Sequence, residues 1–338
     1  MRIVILGGGG MVGQKLAGKL AREGVLAGEK ISELVLHDIF PPDTPQAGFA
    51  VTALTGDISE QSEAERVVAL KPDVVFHLAS IVSGEAERDF DKGWNINTRG
   101  MWHLLEALRA IGGGYRPKLV FSSSIAVFGA PFPEAIPDDF FTTPLTSYGA
   151  QKAINELLIG DYSRKGFIDG LSIRLPTVCV RPGKANMAAS SFFSGIIREP
   201  LNGKEAILPV PETVRHWHAS PRATAGFLTH AAGLDTSVLG ERRALTMPGL
   251  SCTVAEQIEA LREIAGEDAV KLIRREPDAE IMAIVRNWPE RFDAARAIGL
   301  GFRAETDFRD IIRIYIEEDL GGRHAFLAPA GAADRERS

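Results

Sequence analysis

Cysteine is nearly missing from this chain. Two residues, Cys179 and Cys252, stand far apart in 338, with no histidine cluster beside either. A disulfide framework and a structural zinc site are thereby excluded, and a reducing compartment is favoured. No apolar run is long enough to span a bilayer. An apolar segment, "RIVIL", already begins at residue 2, so no cleavable leader is expected and the cytoplasm is the expected location. An excess of basic charge is lacking too. The net charge of −6 argues against nucleic acid or an anionic membrane as partner. Tyrosine is scarce, with 4 in the whole chain.

What the chain does have is alternation. Short apolar or β-branched runs ("RIVIL", "ELVLHD", "DVVFHLA", "KLVFSSS", "LSIRLPTVCV") are separated by longer helical patterns such as "MVGQKLAGKLAREG" and "NINTRGMWHLLEALRA". Apolar strands alternating with helices imply right-handed crossovers and a parallel sheet covered on both faces, a doubly wound α/β fold. Past residue 180 the rhythm loosens. "TVAEQIEALREIAG" and "DFRDIIRIYIEEDL" then read as amphipathic helices of a smaller C-terminal lobe. The expected division is a dinucleotide-binding domain over 1–178 and a lobe mainly for substrate over 179–325, some of whose segments return to the sheet. The small, polar end, 326–338, is expected to be a flexible tail.

The first strand runs straight into "GGGGMVG", residues 7–13. Gly7, Gly10 and Gly13 permit a tight turn and close backbone approach, and the helix opening at Met11 and Val12 offers N–H groups to a pyrophosphate. The second strand ends at Asp38, where a carboxylate accepts from both ribose hydroxyls and repels a 2′-phosphate; NAD is therefore expected over NADP. Asp57 and Ile58, in "TGDI", follow a further strand. Asp57 is either an adenine-side residue or a helix cap.

"SYGAQKAINELL", residues 147–158, sets Tyr148 and Lys152 one helical turn apart on one face. The preceding strand ends "VFSSS", bringing Ser122, Ser123 and Ser124 to the carboxyl end of the sheet. Oxidising an alcohol needs a base for its hydroxyl proton. A neighbouring ammonium lowers a phenol toward that role. Tyr148 is the expected base, Lys152 the group that lowers its pKa and holds the nicotinamide ribose, and Ser124 the residue that positions the reacting hydroxyl.

Taken in order, Gly7/Gly10/Gly13, Asp38, Asp57, "HLAS", Asn97, "SSSIAVFG" and "YGAQK" resemble the extended short-chain dehydrogenase/reductases, the group of NAD-dependent sugar epimerases and dehydratases. The resemblance covers nearly the whole chain. It implies a Rossmann-type sheet and NAD flanked by Leu78, Ala79 and Ser80. It also implies Asn97 and Ser122 near the cofactor, with Pro176, Thr177 and Val178 at the nicotinamide amide. A homodimer through helices around 94–110 and 149–164 is implied as well. The chain departs from the family at Phe128, where a structural Tyr is usual.

Ser124 is followed by Ile125 and Ala126 rather than acidic residues, and the segment after the sixth strand lacks an Asn usual in sugar-nucleotide enzymes. Both features turn the resemblance toward oxidation of a small four-carbon sugar acid at C2. Such a substrate needs a cation for its carboxylate, with Arg181 and Arg174 as candidates. It also needs hydroxyl-bearing or polar neighbours, with Ser80, Ser123, Ser124, Tyr148, Ser190, Ser191, His218 and Ser220 as candidates. Arg215 matches a diphosphate-binding arginine of sugar-nucleotide relatives, which keeps an NDP-sugar epimerase open; a non-catalytic NAD(P)-sensing regulator is the second alternative. The "HWH" of 216–218 lacks zinc-site spacing, and no metal is expected.

Overall fold

The computed structural model describes residues 1–183 and 189–327. From the N-terminus run β1 (Arg2–Leu6), α1 (Met11–Glu23), β2 (Glu33–Asp38), β3 (Ala50–Thr55), α2 (Gln61–Val68) and β4 (Val74–His77). They are followed by α3 (Gly100–Ile111), β5 (Lys118–Ser124), α4 (Ser147–Arg164) and β6 (Asp169–Leu175). Beyond these lie β7 (Thr177–Val178), α5 (Ser191–Leu201), β8 (Arg215–Ala219), α6 (Pro221–Gly233), β9 (Ala244–Thr246), β10 (Leu250–Thr253), α7 (Val254–Ala265) and α8 (Phe308–Asp319).

Seven strands form one parallel sheet in the order β9-β6-β5-β4-β1-β2-β3. Side chains alternate across a strand, so a strand covered on both faces must be apolar at every position. Strand β1 shows this directly. Ile3 and Ile5 join Leu16 and Leu20 of α1 and Phe227 and Leu228 of α6, while Val4 and Leu6 join Leu104, Leu105 and Leu108 of α3 and Ile159 of α4. The order of strands reverses between β1 and β4, which opens a crevice above their carboxyl ends. Ligands of doubly wound sheets enter there.

The lobe has its own core: Phe192, Phe193, Ile196 and Ile197 of α5 pack with Ile258 and Leu261 of α7 and Ile311, Ile312 and Tyr315 of α8. Thr253 and Glu256 close a reciprocal capping box at the start of α7, as the pattern Thr-x-x-Glu allows. The lobe is not one stretch of chain. Helix α6 covers the main sheet, β9 adds its edge strand, and Ala297 and Phe302 return to the sheet core. Among the described residues no helix is long and apolar enough to cross a membrane, and no group of three or more His, Cys, Asp or Glu is placed to hold a metal. Most of the tail expected over 326–338 lies outside the described residues.

Candidate active site

The glycine loop is fixed by its own backbone. Gly7 and Gly8 both donate to the carbonyl of His37, at 2.8 and 2.9 Å. Gly7 has φ +86, and a Cβ there would stand 2.6 Å from the Ala79 nitrogen. A Cβ on Gly13 would overlap the Gly7 carbonyl oxygen. Gly10 caps α1 without any side chain to bond the first turn, so the N–H groups opening the helix at Met11 and Val12 have no capping side chain to satisfy them and suit an anion. Asp38 leans over the loop, its carboxylate accepting from the Gly9 N–H at 2.9 Å and the Ile39 N–H at 2.8 Å. Leu78 and Ala79 donate to the Leu6 carbonyl and so abut the loop from β4. A bare-backbone cradle with a carboxylate at its rim is the donor and acceptor set that a pyrophosphate and an unphosphorylated adenosine ribose require.

The chemical side is assembled from β5 and α4. Thr146 caps α4, accepting from the Gly149 N–H at 3.1 Å. A Cβ on Gly149 would overlap the Ala126 carbonyl; the missing side chain lets the helix start press against the turn after Ser124. Tyr148, partly exposed, thus meets Ser124. Lys152, 2% exposed, donates to the Ser122 carbonyl at 2.8 Å. Its ammonium lies 4.6 Å from the Phe121 ring centre and 5.4 Å from that of Tyr148. Burial pulls Lys152 down to about 7, against an upward pull from Glu156. Burial pushes the Tyr148 phenol up, while the Arg181 guanidinium and the Ser124 hydroxyl pull it back toward phenolate. This differs from expectation. The charge acting on the resting phenol is that of Arg181, while the Lys152 ammonium is aimed at the Ser122 carbonyl.

Several expected contacts are placed elsewhere. Asp57 accepts from the Ser59 N–H at 2.9 Å in a local turn ahead of α2, whose N-cap is Glu60 and not Asp57, and the Ile58 side chain is buried among α3 residues. Asn97, 2% exposed, sits behind the site in a wide π-type helical turn. Its amide oxygen accepts from Ser80 Oγ and the Ile81 N–H, both at 2.9 Å, and its amide nitrogen donates to Gln151 at 2.7 Å. It braces Ser80 instead of facing the crevice. Ser122 likewise donates its hydroxyl to the His77 carbonyl at 3.2 Å and serves Lys152 through its own carbonyl.

Among substrate candidates, Arg174 is corrected most plainly. It is 6% exposed and forked onto Glu156, with bonds of 2.8 to 3.2 Å; its charge is already matched inside the protein. Ser123 donates to the same carboxylate at 2.5 Å. Ser220, fully buried, caps α6 and bonds Glu305 at 2.5 Å. His218, also fully buried, meets Gln257 at 2.9 Å and the Phe193 ring edge. None of these four reaches the crevice. Arg215 is held by the Ser251 carbonyl and Glu256.

Arg181 is the exception. Its Nε donates to the Val178 carbonyl at 3.0 Å and one Nη to Ser190 at 3.3 Å, while its backbone N–H bonds Ser194 at 3.0 Å. Among the described residues no carboxylate pairs with it. Ser190 and Ser191 are partly exposed where α5 begins. Thr177 donates to or accepts from His216 at 2.8 Å. Gln151, Glu156 and Ser194 escaped the sequence reading, and His216 entered it only as part of the "HWH" without zinc-site spacing, since single polar residues carry no periodic signal.

Residues 3–218 match the model of the NAD dependent epimerase/dehydratase family. D-erythronate dehydrogenase of Cupriavidus necator is 43% identical over 322 residues, covering 94% of this chain and 98% of that protein. The enzyme of the same name from Haemophilus influenzae is 40% identical, with 95% and 100% covered. A crystal structure of a nucleoside-diphosphate-sugar epimerase from Agrobacterium tumefaciens superposes with TM-score 0.92 at 59% identity, covering 95% of both chains.

Proposed function

Because the chain belongs to the NAD dependent epimerase/dehydratase family, we propose that it is an NAD-dependent dehydrogenase of a small 2-hydroxy sugar acid, oxidising D-erythronate at C2 to 2-oxo-D-erythronate. One observation carries the choice of an acid: Arg181 is a partly buried guanidinium with no carboxylate beside it among the described residues, and its charge reaches the Tyr148 phenol. A cation drawn partly out of water gains from a charged partner, and a substrate carboxylate held there supplies it. The C2 hydroxyl then lies between Tyr148 and Ser124.

The roles of the chain's own residues follow. Tyr148, as phenolate, takes the proton of the C2 hydroxyl. Ser124 holds that oxygen by a hydrogen bond, and Arg181 fixes the carboxylate bidentately. Lys152 holds the nicotinamide ribose and keeps positive charge beneath the phenolate. Ser190 and Ser191 face the remaining hydroxyls. NAD supplies the acceptor for the C2 hydride, so a C–H and an O–H bond are exchanged for C=O, NADH and a proton on Tyr148. Gly7, Gly10, Gly13, Asp38, Leu78 and Ala79 hold the dinucleotide.

The epimerase reading has one observation in its favour, the name borne by the Agrobacterium relative. Against it, the arginine available for a diphosphate, Arg215, is held by Ser251 and Glu256. Absorbance at 340 nm with NAD, four-carbon sugar acids, and UDP- and dTDP-sugars separates the two. NADH formed from D-erythronate, and lost in Tyr148→Phe, is the expected result. Interconversion of a nucleotide sugar without net NADH would replace the dehydrogenase with an epimerase.

A homodimer is supported by α3 and α4, which leave Trp102 49% and Leu157 72% exposed, a surface suited to a second copy. Two buried free thiols, Cys179 and Cys252, favour the reducing cytoplasm.

A further inference from the structure

The buried histidine of β8 has a fixed direction of hydrogen bonding. His216 is 3% exposed. Its Nδ1 lies 2.9 Å from the Pro289 carbonyl oxygen and its Nε2 lies 2.8 Å from Thr177 Oγ1. A carbonyl only accepts, so Nδ1 must carry the hydrogen. Burial holds the ring down to about 4, with Arg181 adding to the shift and Pro289 opposing it. At neutral pH the ring therefore has a single hydrogen, and Nε2 is a bare acceptor. The Thr177 hydroxyl must then donate to it. The ring cannot turn over to reverse this order: it stacks on Phe193 at 5.3 Å with planes 4° apart, and Trp288 closes the other side at 5.1 Å.

We propose that His216 is a positioning residue that sets the polarity of Thr177, so that the Thr177 hydroxyl offers only an acceptor to the crevice and selects a cofactor bearing an amide N–H at the nicotinamide carboxamide. The proposal rests on NAD being bound with the partly exposed Thr177 beside the nicotinamide. It assigns a function to the segment around Pro289, whose carbonyl starts a chain running through His216 and Thr177 to the cofactor. A threonine without that chain would rotate freely and would donate or accept with equal ease.

Two readouts test it on the full chain. With ¹⁵N-labelled histidine, the His216 resonances, assigned by their loss in His216→Phe, are expected to show a protonated Nδ1 and a bare Nε2; the opposite tautomer overturns the proposal. Titration calorimetry would compare NAD with 3-acetylpyridine adenine dinucleotide, in which a methyl replaces the amide NH2. Thr177→Val, close in shape to threonine, and His216→Phe are expected to weaken NAD by roughly 3- to 10-fold, the loss of one ordinary hydrogen bond, with less than 2-fold effect on the analogue. Equal loss for both nucleotides marks a merely structural role and overturns the proposal. Should His216→Phe not fold, Thr177→Val alone decides the comparison. Asp38→Ala is the separate control on the cofactor reading. Unchanged NAD affinity there means that the nucleotide sits elsewhere, and both readings fall.

Discussion

Tyr148 and Lys152 illustrate how burial and charge oppose one another at a single turn of helix. Phenylalanine at 148 removes the base while preserving the ring, so kcat is expected to fall about 10²- to 10⁴-fold, with NAD affinity kept. Arg181→Met removes both the carboxylate partner and the nearest cation acting on the phenol. KM for the acid should rise by roughly 10- to 150-fold, as expected of a charged hydrogen bond. The rising limb of the pH–rate profile should also move to higher pH, because the phenol loses a stabiliser of its charged form. Lys152→Met separates stability from activity. The folded pKa of about 7 lies below the ordinary lysine value of 10.5, so the unfolded chain binds more protons between those limits, and wild-type stability should rise with pH across that window. The variant is expected to be inactive yet to melt higher near pH 7, with the difference narrowing toward pH 10. The order Gly loop, Asp38, Ser124, Tyr148, Lys152 was legible because each residue is tied to a strand end or a helix start. Arg174 and Arg181 were not separable from sequence. What distinguishes them is Glu156, which lies eighteen residues before Arg174 and reaches only that one.

At the level of elements, the parallel strands announced themselves through continuous apolar runs, whereas β7, two residues long, and the wide turn holding Asn97 left no periodic trace. The glycines belong here as well. Adding a side chain at Gly13 forces α1 away from the Gly7 carbonyl, so Gly13→Val is expected to abolish NAD binding, measured by calorimetry, even where circular dichroism reports a folded protein. Glu156 joins α4 to β5 and β6 through Ser123 and Arg174. Glu156→Ala leaves a buried guanidinium without its partner and should cost about 3–5 kcal/mol in denaturant unfolding. Glu156→Gln, which keeps some of the hydrogen bonds, should cost less.

Across the whole molecule, α8 is tied to the cofactor domain by charge: Lys15 of α1 bonds Glu318 and Asp319 at 3.0 and 2.8 Å, and Arg222 of α6 bonds Glu317 and Glu318 at 2.6 Å. The sequence marked α8 as amphipathic but could not show which surface its acidic end would meet, since its partners Lys15 and Arg222 lie 303 and 95 or more residues away in chain order. The path of the chain has a wider consequence. After building the lobe's first helix it goes back to lay α6 and β9 on the sheet, then leaves again for α7 and α8. Cutting at residue 178 would strip the sheet of its last strand and one of its covering helices, so neither fragment inherits a closed interior. Changing what such a protein accepts by grafting a foreign lobe would therefore mean transplanting several separate segments while leaving the stitches between them in place. Inheritance by small replacements at the crevice is the simpler route, and it suits a fold that keeps one cofactor while its substrates diverge.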